Sequence, residues 1–104
     1  MRTVRILEEA AQEAIAAAEW YEHRQPGLGA EFFAAMDAAI DIIEENLSPL
    51  SPLPEQADDT GAKRLIIDRF PYDIVATEML EETIIVAVAH QSRKPGYWRE
   101  RSML

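Results

Sequence analysis

An α+β domain is what this sequence predicts, with a helical hairpin packed on a small antiparallel sheet in the order β-α-α-β-β-β and a short C-terminal tail. Three observations carry that prediction. Two runs with apolar residues at helical spacing meet at a breaker, QPGLG, at residues 25–29. Three short β-branched runs follow residue 62, parted by turn residues. The last of them, TIIVAVAH at 83–90, is apolar on both faces and so belongs at the centre of a sheet. With 104 residues the chain is one domain, residues 1–104. A chain of that size buries roughly 60–70% of its unfolded surface, and neither half is apolar enough to stand alone.

Residues 3–7 (TVRIL) alternate polar and apolar and are β-branched, which predicts a strand with Val4 and Ile6 turned inward. Glu8 and Glu9 then open a helix that runs to about Arg24, placing carboxylates at the positive end of its dipole. Its apolar stripe is Ala11, Ala14, Ile15, Ala18 and Tyr21, narrow enough for another helix to come close. The second helix carries Leu28, Phe32, Met36, Ile40, Ile43 and Leu47, bulky side chains that fill against those alanines. Acids decorate the outside of both helices, as a solvated face or as a docking surface for a basic partner. Residues 48–61 hold three prolines and no period, and are a loop. KRLIIDRF at 63–70 is a strand stopped by Pro71, YDIVATEM at 72–79 is the next, and residues 80–82 turn into 83–90. Their spacing makes an antiparallel meander.

Composition excludes several chemistries. The chain has no cysteine, so disulfides, thiolate metal sites and cysteine nucleophiles are out, which suits a reducing cytoplasm. No apolar run approaches the ~18 residues of a membrane span, and the N-terminus turns acidic where a signal peptide needs an apolar core. His23 and His90 make no metal spacing, and no cofactor or metal is expected. The formal charge of -9 is unevenly spread, since thirteen of the nineteen acids but three of the ten bases lie in residues 1–60. The basic half ends in a cationic, aromatic tail of Arg93, Lys94, Tyr97, Trp98, Arg99 and Arg101, delivered to a fixed place by the central strand. That tail is the expected partner-binding surface.

The motifs combine in an order that resembles a known family. WYE at 20–22 and PGLG at 26–29 flank the helical turn, then come KR at 63–64, RFPY at 69–72, AVAH at 87–90 and R-x-P-x-YW ending at Trp98. Together they resemble the RelE/ParE toxin superfamily over nearly the whole chain, most closely its ParE-like plasmid-stabilisation proteins. The resemblance implies a toxin of a type II toxin-antitoxin pair, neutralised by a cognate antitoxin. It implies one of two activities: poisoning of DNA gyrase, as in ParE-like members, or ribosome-dependent cleavage of messenger RNA, as in RelE-like members. An inactive or non-toxic protein-binding module of the same fold is the third reading. This chain departs from the family in carrying Ala76 where an aromatic residue is usual on the strand after FPY.

If the chain is a nuclease, the resemblance implies that Arg64, Arg93 and Tyr97 match the catalytic set. The arginines would stabilise charge on the scissile phosphate, and a tyrosine with a lowered pKa would exchange a proton. His90 is a further acid or base, since imidazoles titrate near neutrality. Each has a plainer role: Arg64 paired with Asp68 or Asp73, His90 hydrogen-bonded at a strand end, Tyr97 and Trp98 packed against the sheet. Binding a ribosome and its messenger takes many phosphate contacts, and this chain has few cations to offer. Gyrase is therefore the expected target ahead of messenger RNA.

Overall fold

Leu7 is the only residue between strand β1 (Thr3–Ile6) and helix α1 (Glu8–Arg24). Helix α2 (Leu28–Glu44) follows after three residues, and then come strands β2 (Ser51–Pro52), β3 (Lys63–Ile66), β4 (Tyr72–Glu78) and β5 (Glu82–His90). This computed structural model describes residues 3–45, 50–52, 62–94 and 96–101. Leu47 and most of the loop expected at 48–61 lie outside them.

The predicted element order holds, and β3, β4 and β5 form the expected antiparallel meander. The sheet order is β1-β5-β4-β3-β2. Two features correct the sequence reading of a wholly antiparallel sheet and an unstructured loop at 48–61. Ser51–Pro52 pairs antiparallel with Arg64 and Lys63, so the loop contributes a two-residue edge strand. β1 lies parallel to β5, with Thr3 opposite Glu82 and Ile6 opposite Ile85, which makes the sheet mixed. The direction follows from the hairpin: α2 returns the chain to the far end of the sheet, and β2 runs back along its edge before β3 starts. β5 lies between β1 and β4 with Thr83 to Ala89 all buried, as its two-sided apolarity requires.

The hairpin is held by a side chain at its turn. The Glu22 carboxylate accepts the backbone N–H groups of Gly27 and Gly29 at 3.0 and 3.1 Å. These are unsatisfied donors at the start of α2, where the dipole also favours an anion. The two bonds hold the Glu22 carboxyl below its ordinary pKa. Gly27 sits at φ 91°, which L side chains resist. Gly29 is set so close to α1 that a Cβ would lie 2.7 Å from the Ala18 carbonyl oxygen.

Two expected apolar faces are rotated. Ala10, Ala14, Ala17 and Ala18 are the buried residues of α1, whereas Ile15 is exposed and Ala11 only half-buried. On β1, Val4 is half-buried but Ile6 is 40% exposed, and it is Leu7 that enters the core. The immediate step from strand to helix sets both phases. Leu7 donates its N–H to the Ile85 carbonyl and accepts that of Ala11. α2 follows the sequence pattern, with Phe32, Met36 and Ile43 buried. The motifs meet in the core: Phe70 and Tyr72 close on Tyr21 and Phe32, with Tyr21 and Phe70 ring centres 4.9 Å apart. Ala76 is fully buried beside a register shift between β4 and β5. Among the described residues, no helix is long and apolar enough to cross a membrane.

Candidate functional site

β1 ends at Ile6, opposite Ile85, so from Val86 onward β5 has no strand on that side among the described residues. Side chains satisfy the backbone there instead. The Val88 N–H donates to Glu13 Oε1 at 3.0 Å, and Arg101 Nη1 donates to the Val86 carbonyl at 2.8 Å. Val86 is the residue that the register shift between Val75 and Ala76 leaves without a partner on β4. A strand edge that would otherwise invite another strand is thus closed by an acid from α1 and a base from the tail.

Glu13 is the centre of this arrangement. Arg101 grips its carboxylate with two bonds of 2.8 and 2.9 Å, and the Tyr97 hydroxyl donates to Oε2 at 2.7 Å. Arg93 lies 3.6 Å from Oε2, with its guanidinium 3.6 Å from the Tyr97 ring centre. Burial opposes the charge on Glu13, but the bonds from Arg101, Tyr97 and Val88 outweigh it and hold the carboxyl below its ordinary pKa. The tail is positioned by Trp98, whose ring is buried in the core and flanked by the N–H of Arg99 on the Gly96 carbonyl and that of Arg101 on the Trp98 carbonyl.

Beside this cluster lies an open groove of about 600 Å³, with Glu13, Trp20, Tyr72, Val88, His90 and Arg93 among its lining residues. Trp20 is half exposed on its rim, with the Arg24 guanidinium 4.3 Å from its ring centre. His90 stands edge-on to Tyr72, and its Nδ1 accepts the Ser92 N–H at 3.0 Å.

The structure brings four of the residues singled out from sequence together: Arg93, Tyr97 and Arg101 on Glu13, and His90 in the same groove. Arg64 stands apart. On β3 it pairs with Asp73 at 3.3 Å, and Asp73 also accepts Gln91 Nε2 at 3.1 Å, so the cross-hairpin partner is realised. Lys94 and Arg99 lie on the exposed side of the tail, and Trp98 belongs to the core. One expectation is reversed. A tyrosine exchanging protons near neutrality needs a lowered pKa, but burial, and then the bond to the Glu13 carboxylate, push the Tyr97 phenol far above its ordinary value. Glu13 itself escaped the sequence reading, as one more acid in an acid-rich half. Its spacing does mark it, because it falls in the row Ala10, Glu13, Ala14, Ala17 that faces the sheet. Among the described residues, no group of three or more His, Cys, Asp or Glu is placed to hold a metal.

The sequence matches no protein-family model and none of the curated proteins. Among solved structures the fold is similar to that of a chain from "Chromosomal ParDE TA system from P. aeruginosa", with a TM-score of 0.70. The match covers 86% of this chain and 96% of that one at 15% sequence identity, and what the two chains share is the fold.

Proposed function

We propose that this chain is the toxin of a type II toxin-antitoxin pair, neutralised by a cognate antitoxin, and that it arrests growth by contacting a protein target, DNA gyrase, rather than by cleaving messenger RNA. The motif order and the fold shared with a chain of a ParDE system support the toxin assignment. The observation that carries the choice of mechanism is the Glu13 carboxylate at the centre of the Arg93, Tyr97 and Arg101 cluster. A scissile phosphate approaching those cations would meet a partly buried anion that already accepts two bonds from Arg101 and one from the Tyr97 hydroxyl. Phosphoryl chemistry needs cations whose donors face developing charge. The same cluster suits protein recognition, since it holds Arg93, 54% exposed, rigidly on Tyr97 at the mouth of an aromatic groove.

Induced expression without the antitoxin tests this reading, with growth, DNA supercoiling and messenger integrity followed together. Arrest with altered supercoiling and intact messenger is the expected result. Messenger cut on translating ribosomes with supercoiling unchanged would overturn the gyrase reading. Normal growth would favour the non-toxic binding module.

A further inference from the structure

The donors around Glu13 form a cradle for an oxyanion, and the chain fills it with its own carboxylate. Oε1 accepts the Val88 N–H at 3.0 Å and Arg101 Nη1 at 2.8 Å. Oε2 accepts Arg101 Nη2 at 2.9 Å and the Tyr97 hydroxyl at 2.7 Å, with Arg93 Nη1 3.6 Å away. We propose that this cradle is a phosphate-binding site held shut by Glu13, an internal occupant that keeps phosphate out of it; neither the toxin assignment nor the choice of target enters.

Three observations carry it. Each donor has an anchor other than Glu13. Val88 is paired with Ile74 on β4, and Arg101 also donates to the Val86 carbonyl at 2.8 Å. The Tyr97 ring meets the buried Trp98 edge-on at 5.3 Å and carries the Arg93 guanidinium 3.6 Å from its centre. The carboxylate alone comes from α1, at least 75 residues away from these donors in sequence. The charges are also unequal, since two guanidinium groups face one carboxylate, and Glu9, a turn earlier on α1, adds only a weaker pull on Arg101. Removing the Glu13 carboxylate therefore leaves the cradle cationic, and the fork of Arg101 fits phosphate oxygens as well as carboxylate oxygens. Finally, Glu13, Val88 and Arg93 all line the open groove of about 600 Å³, so an anion reaches the cradle from water. A clasp that served stability alone would need one good ion-pair partner, not a ring of donors on both carboxylate oxygens.

The test titrates inorganic phosphate, at neutral pH and fixed ionic strength, into the full native chain and its Glu13→Gln, Glu13→Ala and Glu19→Ala variants, with binding followed by phosphorus NMR and by thermal unfolding. Glu13→Gln keeps the volume and removes the charge, and should bind phosphate at least about tenfold more tightly than the native chain. Glu13→Ala also clears the space and should bind more tightly still. Adding Arg101→Ala to Glu13→Gln should abolish the gain. Glu19→Ala makes the same change in net charge on the exposed face of α1 and should bind no better than the native chain. A Glu13 variant that unfolds in chloride should refold in phosphate, because the anion takes the place of the lost carboxylate. Equal binding by the native and Glu13→Gln chains, an equal gain in Glu19→Ala, a gain that survives the loss of Arg101, or an unfolded variant that phosphate does not restore would each overturn the proposal. Growth arrest plays no part in these readouts, so the phosphate site and the toxin reading fail separately.

Discussion

Glu13 and Arg101 are each less than one-fifth exposed, and between them they satisfy two backbone groups of β5 as well as each other. Removing Arg101 takes two bonds from the Glu13 carboxylate and one from the Val86 carbonyl in a place water reaches poorly, leaving Glu13 with Tyr97, the Val88 N–H and the longer contact to Arg93. Arg101→Ala should therefore cost roughly 3 kcal/mol in urea unfolding. Arg93→Ala, at a surface ion pair, should cost less than about 1 kcal/mol. The contrast separates scaffold from recognition: an Arg93→Ala chain that folds normally yet no longer arrests growth would assign Arg93 to target contact. The pH dependence has a definite sign. Glu13 has a folded pKa below its ordinary 4.5, so the native state binds fewer protons than the unfolded chain as pH drops. The stability it confers is complete above pH 4.5 and is lost as pH falls through its folded value. Thermal unfolding followed from pH 6 to pH 3 should show a shallower decline in Glu13→Gln than in the native chain.

At the scale of elements, the hairpin is the part whose sequence explains it best. Bulky residues of α2 oppose alanines of α1, and the turn is fixed by Glu22 on the amides of Gly27 and Gly29. Gly29→Ala would drive its methyl group into the Ala18 carbonyl and should destabilise by about 1–3 kcal/mol. Gly27→Ala meets no atom and should cost only the left-handed backbone, about 1–2 kcal/mol, as read from chemical denaturation. The strands were legible because β-branched runs mark them, and β5 because a strand apolar on both faces has only one place to go, but β3 stops at Ile66 rather than running to Pro71 as expected, because the chain turns through Arg69 at φ 73°. The phases of β1 and α1 were not legible. A single linking residue fixes them, and whether Leu7 or Ile6 turns inward depends on the bond from Leu7 to Ile85 across the sheet. The Glu13 cluster was illegible for the same reason, since its parts come together only when α1, β5 and the tail are packed.

Over the whole molecule, charge and topology divide the labour. Apart from Glu13, the acids of the two helices lie mostly on exposed or half-exposed faces, while several bases of the second half are drawn to the sheet edge and the tail, where Arg64, Arg69, Arg93 and Arg101 all find carboxylates. The same arrangement has a kinetic consequence. The Glu13–Arg101 contact joins residues 88 apart, and closing a loop of that length costs roughly 4 kcal/mol of chain entropy. Local structure, the helical hairpin and the β4–β5 hairpin, can form without it. A contact that closes last is expected to form after the folding barrier and to open before it on the way back. Arg101→Ala should raise the unfolding rate while leaving the refolding rate nearly unchanged in stopped-flow measurements. The clasp between the first helix and the tail thus sets how long the folded molecule lasts, more than how fast it is made.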